Sequence, residues 1–259
     1  MLDREGILKR WYASIYEQWE TGREDVECLL KLIGPSSLRV VEAACGGGRI
    51  AVPLAEAGHQ VTGFDLDEAM LERAQHRAAG LKNIALRRAD ALAESWGEGF
   101  DVAVLGGNLL VNIETSGDYR EAQQKMIQSA ASCLAPGGHL FLDFDVPDWP
   151  DQSASDRREW VCFEGTDEWG TYGRYVMISG DYSRATRVDR SFRRYEIAPA
   201  PGEPFTVERQ VTKYFPTLEA AVGWCRDAGF EVELLGRDYH MNPAGDGATR
   251  AVIWAKKRA

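Results

Sequence analysis

The stretch Val40-Val41-Glu42-Ala43-Ala44-Cys45-Gly46-Gly47-Gly48-Arg49, with Thr62-Gly63-Phe64-Asp65-Leu66-Asp67 behind it, decides how this chain folds. A short β-rich run over 38–42 ends in a cluster of glycines. A helical pattern follows, with Ile50, Leu54 and Ala57 on one face. A second strand over 59–65 ends at Asp65, and Asp67 stands where it caps the next helix. Outward from there the spacing predicts strands over 83–88 and 100–105 and a helix over 118–134. Pro136-Gly137-Gly138 reads as a turn, and a fifth strand follows over 139–144. This alternation predicts a parallel sheet covered by helices on both faces.

Past residue 145 the pattern changes. Residues 158–214 are rich in Tyr, Phe, Val, Thr and Arg without helical period, and read as a small inserted antiparallel sheet. The helical pattern resumes after Pro216 and Thr217, with Gly229 as its stop signal, and two further strands end the chain. The expected organisation is an N-terminal helical lid over 1–37, a nucleotide-binding domain over 38–145 and 215–259, and an inserted substrate subdomain over 146–214.

The 259 residues are 44% hydrophobic and 27% charged, a globular composition that excludes disorder and coiled coil. No apolar run approaches the ~20 residues of a membrane helix. The first residues lack the basic-then-apolar layout of a signal peptide, so a cytoplasmic protein without membrane partners is expected. The net charge of −10 argues against nucleic-acid binding. The first 150 residues hold 14 basic and 23 acidic side chains, the remainder 16 and 17, so the excess lies with the nucleotide-binding part. The five cysteines are widely spaced and odd in number, which predicts neither a disulfide framework nor a metal site.

Glycines between a first strand and a first helix let the backbone approach a ligand where a parallel sheet opens its crevice. Asp65 can accept both hydroxyls of a ribose, and Asp90 an adenine amino group. Gly46-x-Gly48-x-x-Ala51 also fits a dinucleotide site. Glu42 separates the two readings. An acid before the loop repels a pyrophosphate and suits a ligand with an ammonium or a sulfonium. S-adenosylmethionine (SAM) carries both.

On these residues the chain resembles the class I SAM-dependent methyltransferases, and Leu134-Ala135-Pro136-Gly137-Gly138 and Ala228-Gly229-Phe230 add to the likeness. The resemblance implies an α/β fold, a doubly wound Rossmann-like seven-stranded sheet whose last strand is antiparallel, with the small β insert after strand five. It implies SAM as cofactor, Glu42 near the methionine amino group, and Ala44, Cys45, Gly46, Gly48 and Gly106 lining the ligand. Asp65 takes the ribose, Leu66 packs on adenine, and Asp90 and Ala91 recognise it. Ala44 departs from the family, which usually has Gly there. Within the class, Leu105-Gly106-Gly107-Asn108 and Lys213-Tyr214-Phe215-Pro216 are similar to the glycine and small-amine N-methyltransferases. The arginine that holds the substrate carboxylate in the glycine enzyme is missing from Asp143-Phe144-Asp145.

Methyl transfer by in-line displacement needs an acceptor placed against the methyl carbon, and an amine must arrive neutral. Asp145 is the first choice to pair with a cationic amine, and Asn108 follows strand four. Tyr12, Tyr16 and Trp19 share one helix face and are read either as a lid around the sulfonium or as ordinary packing. Arg23 is read either as a ligand of the SAM carboxylate or as a solvated helix residue, and His240, between the last two strands, either as a base or as a surface histidine. Arg190, Arg193 and Arg194 are either anion ligands or a charged solvent face. The expected activity is methylation of a small molecule, at nitrogen first and at oxygen as the alternative. SAM binding without transfer is a third reading. A homodimer is compatible with all three.

Overall fold

The computed structural model describes residues 3–153, 155, 157–245 and 247–258. In chain order the elements are α1 (Arg4–Trp19), α2 (Glu24–Ile33), β1 (Arg39–Ala43), α3 (Ala51–Glu56), β2 (Gln60–Asp65), α4 (Glu68–Arg77), β3 (Ile84–Arg88), β4 (Phe100–Leu105), α5 (Tyr119–Cys133) and β5 (Leu134–Asp145). Then come β6 (Glu159–Thr166), β7 (Tyr172–Ser183), β8 (Val188–Ala198), β9 (Phe205–Tyr214), α6 (Leu218–Asp227), β10 (Phe230–Gly236) and β11 (Arg250–Lys257). They form two compact units. One holds the chain up to Thr21 together with Trp149–Tyr214; the other holds Gly22–Asp148 and the chain from Phe215 onward. The N-terminal segment, expected as one lid over 1–37, is therefore divided, α1 in the first unit and α2 in the second.

The second unit is built on a seven-stranded sheet in the order β10-β11-β5-β4-β1-β2-β3. β1 to β5 run parallel, and β11 is antiparallel to both β5 and β10. The sequence order reverses between β1 and β4, which opens the ligand crevice of this architecture at their C-terminal ends. Short acidic and hydroxyl residues start the helices. Asp67 accepts from Ala69 and Met70 N–H (2.9 and 3.3 Å), Asp118 from Arg120 and Glu121, and Thr217 from Ala220. The core joins Val40, Leu54, Val102, Val104 and Phe141 to Val26 and Leu29 of α2.

Pro136-Gly137-Gly138, expected as a turn before the fifth strand, lies inside β5. The pairing with β4 shifts between Phe100 and Val102, so the extra residues are taken up as an irregularity within the strand. Gly137 takes φ +77°, and a Cβ on Gly138 would meet three carbonyl oxygens at 3.0–3.1 Å.

The first unit is the expected antiparallel sheet, in the order β6-β7-β8-β9. α1 is its covering layer. Trp11 is fully buried over Gly173 and donates from Nε1 to Gly165 O (3.0 Å). Leu8, Ile15, Phe163, Tyr175, Ile197 and Phe205 complete this core. A charged ladder runs across the sheet. Arg174 pairs with Glu164 (3.0 Å) and Glu196 (3.1 Å), and Arg194 with Glu159 (2.6 Å) and Glu196 (3.0 Å). Arg194 thus belongs to an ion-pair face, whereas Arg193 is buried and donates to Ser191 Oγ (3.1 Å).

Candidate active site

The turn after β1 is held in shape by its own backbone. Ala44, Gly46 and Gly48 have φ of +50°, +50° and +77°. Gly46 and Gly48 adopt this region freely; Ala44 does so at a cost of about 1–2 kcal/mol. A Cβ on Gly48 would meet Val52 at 3.0 Å and Ala74 at 3.2 Å, so only glycine lets α3 and α4 close on the turn. Cys45 N–H donates to Phe64 O (2.9 Å), which ties the turn to β2. The Cys45 thiol is buried, and burial holds its pKa far above the usual value.

Asp65 lies at the end of β2, as expected. Its Oδ2 accepts from Gly46 N–H and its Oδ1 from Asp67 N–H, both at 2.8 Å. One carboxylate thus fixes the glycine turn and the entry to α4, and each oxygen keeps a lone pair for a hydroxyl. Burial pushes its pKa up, against the pull of these N–H groups. Leu66, next along, is 56% exposed, unusual for a leucine and suited to packing on a flat base. Asp90 Oδ1 accepts from Leu92 N–H (2.8 Å), and Ala91 O from Trp96 Nε1 (3.0 Å), which orders the segment after β3.

Glu42 is buried at the end of β1. Burial pushes its carboxyl up to about 8, Arg49 pulling it down and Asp25 pushing it further up. Its Oε2 has no hydrogen-bond partner among the described residues. Arg49 is engaged by Asp25 of α2 through two contacts, 2.7 and 2.5 Å. Arg23, expected at the cofactor, is an exposed residue at the start of α2.

Beyond β4 and β5 a polar network closes the crevice. Asn108, in the left-handed region at φ +65°, donates from Nδ2 to Asp145 Oδ2 (2.7 Å) and accepts from Asp145 N–H (2.9 Å). Asp145 was expected to await a cation from the substrate. It already has one, because Arg250 Nη2 donates to its Oδ1 (2.7 Å). Arg250 opens β11 directly opposite Asp145, and its Nη1 also reaches Asp143 Oδ2 (2.7 Å) and Tyr239 Oη (2.6 Å). Tyr239 in turn donates to Asp143 (2.8 Å). Burial pushes Asp143 up to about 6, opposed by Tyr239 and Arg250.

Arg250 and Tyr239 escaped the sequence reading. An arginine does stand beside the end of β5, but it comes from β11. Only the antiparallel pairing of β11 with β5 brings it there. His240, the expected base, is exposed and its N–H donates to Asp238 (3.0 Å); its neighbour Tyr239 enters the network instead. Tyr12 and Tyr16 lie in the first unit. There they stack on each other (5.7 Å, 18°), and Tyr12 packs edge-on against Tyr175 and Tyr195.

These residues fit SAM. The glycine turn offers close backbone approach, Asp65 a ribose acceptor, and Glu42 a buried oxygen lacking the donor that an ammonium supplies. Fold and site together define a class I methyltransferase. Comparison with known proteins agrees. The family described as "Methyltransferase domain" matches residues 40–138. The protein named "Putative methyltransferase YqeM" of Bacillus subtilis (strain 168) is 32% identical over 179 residues, 62% of this chain and 69% of that protein. Shorter matches, each under half of the relative, include a ubiquinone biosynthesis O-methyltransferase of Pseudomonas fluorescens (33% over 113 residues) and the glycine N-methyltransferase of Rattus norvegicus (28% over 121). Among solved structures, the CcbJ methyltransferase of Streptomyces caelestis covers 98% of both chains at TM-score 0.73 and 16% identity. The sugar N-methyltransferase KedS8 of Streptoalloteichus covers 93% of this chain and 88% of its own, at 0.65 and 21%. At these identities the likeness to the solved structures is one of fold.

The chain belongs to the methyltransferase family and is a SAM-dependent enzyme. Among the described residues, no helix is long and apolar enough to cross a membrane.

Proposed function

We propose that the enzyme methylates a nitrogen of a small-molecule amine. The observation that carries this reading is the network at the ends of β5 and β11, where two carboxylates face one guanidinium. An excess of one negative charge favours a cationic ligand over an anionic one. Asp145 is 40% exposed at its side chain and forms the outer end of this network. With Asn108 it orients the acceptor amine and draws off the proton that the amine must lose before it attacks. SAM, when bound, supplies an electrophilic methyl group on sulfur. Glu42, Gly46, Gly48, Gly106, Asp65, Leu66, Asp90 and Ala91 hold it.

KedS8, by its description, acts on a sugar nitrogen, and it supports the reading through fold alone. The glycine enzyme supports it less. Here the arginine beside β5 is already engaged by Asp143 and Asp145 and is not available for a substrate carboxylate. The reading also takes the protein as cytoplasmic and a homodimer as its assembly, the last tested by light scattering. Methylation at oxygen is the second reading, favoured by the 33% identity to the ubiquinone biosynthesis enzyme. The test is incubation with SAM and separate pools of amines, phenols and carboxylic acids. A gain of one methyl mass in the amine pool supports the proposal. A gain confined to phenols or acids overturns it.

A further inference from the structure

The acids of the second unit differ in how well they are satisfied. Asp145 has both oxygens engaged, by Arg250 and Asn108. Asp143, two residues earlier on the same face of β5, has not. Its Oδ2 takes two donors, Tyr239 Oη and Arg250 Nη1. The Gly107 backbone N–H also supports the carboxylate, yet its Oδ1 makes no hydrogen bond of good geometry among the described residues, although the side chain is fully buried.

An unmet buried acceptor destabilises the fold, and more so when charged. Asp25 adds like-charge repulsion. Satisfying Oδ2 twice while leaving Oδ1 bare fixes the direction in which the bare oxygen points. A Cβ on Gly106 would lie 3.7 Å from Oδ1, so that oxygen faces the turn after β4. A Cβ on the next residue, Gly107, would lie 3.5 Å from Arg49 Nη2, and Arg49 leads into α3 from the glycine turn. The bare oxygen therefore faces the turn after β4, and Asp145 lies at the exposed end of the network.

The missing partner must be a donor, and a cation satisfies it best among so many acids. The cofactor carries one such group besides its sulfonium, the α-ammonium of its methionine end. We propose that Asp143 binds the α-ammonium of SAM, in addition to Glu42, and that Tyr239 and Arg250 are positioning residues that hold Asp143 for it. The C-terminal strands then contribute to cofactor binding as well as to the acceptor side.

The test needs no acceptor, so it is independent of which atom the enzyme methylates. Calorimetry compares S-adenosylhomocysteine with its analogue lacking the α-amino group, on wild type and on Asp143→Asn. The expected result is at least a tenfold loss of affinity for S-adenosylhomocysteine in the variant, with the deamino analogue changed less than twofold. Equal losses for both ligands, or no loss for either, overturn the proposal. Should Asp143→Asn bind neither ligand, Tyr239→Phe decides. A loss of threefold or more confined to the ligand with the amino group supports the proposal, and any other pattern overturns it.

Discussion

The two sheets of this protein treat charge in opposite ways. On the four-stranded sheet, Arg174 and Arg194 each sit between two glutamates at the surface, and every partner is within 3.1 Å. The buried Asp167 of that unit is an exception: its Oδ1 accepts Trp169 and Thr171 N–H, while its Oδ2 has Arg10 at 3.8 Å and no hydrogen-bond partner among the described residues. On the seven-stranded sheet, Glu42 and Asp143 are buried and each keeps an oxygen with no hydrogen-bond partner among the described residues. Exposed pairs contribute little and need no ligand to complete them. Buried acids left incomplete destabilise the fold and persist where something else supplies the donor. The difference separates an exposed ion-pair face from a sheet that buries its acids at the strand ends.

The largest effect expected tests the packing half of that contrast. Trp11→Ala removes the centre of the α1 layer and should cost the first unit about 3–5 kcal/mol, read by chemical denaturation. A loss under about 1 kcal/mol would mean α1 is not its core. Next, Asp65→Ala should weaken SAM binding at least tenfold, about 1.4 kcal/mol. Unchanged affinity by calorimetry would remove Asp65 from the ribose site.

A pH series sharpens the contrast further. Burial raises Glu42 to about 8 and Asp143 to about 6, above their values in the unfolded chain. In that window the folded protein holds protons the unfolded chain has lost, so ligand-free stability falls as pH rises. A bound cation offsets the charge that appears. The melting-temperature gain from SAM should therefore be larger at about pH 8.5 than at about pH 5.5, and Glu42→Gln should narrow the gap. Equal gains would break the link between the buried acids and the cofactor. Ala44→Gly should stabilise the protein by about 1 kcal/mol, by relieving the left-handed alanine. A destabilisation on denaturant titration would show that its methyl packs favourably. The smallest effect belongs to the surface ladder, where Arg194→Gln should leave the melting temperature within error.

Residues 38–105 were legible because each strand is followed by the helix or turn that defines its use. Gly46, Gly48, Glu42 and Asp65 lie within 24 residues of one another, and local spacing alone puts them at neighbouring strand ends. Four of the six helix starts among the described residues follow the same logic, through Asp3, Asp67, Asp118 and Thr217. Pro136-Gly137-Gly138 misled for the converse reason. A local turn signal was absorbed into β5 by pairing with β4, which no local pattern records.

Sequence alone thus determined the class of fold, the glycine turn and the cofactor, because those depend on short-range periodicity and on residues that are close in the chain. Tertiary structure decided the rest. Arg250 meets Asp145 across 105 residues, and Tyr239 meets Asp143 across 96, because β11 enters antiparallel beside β5. It also turned Tyr12 and Tyr16 onto the inserted sheet. Partner choice at such distances is set by strand register and by the burial that leaves a carboxylate only certain donors, and neither is written in any local stretch of the chain.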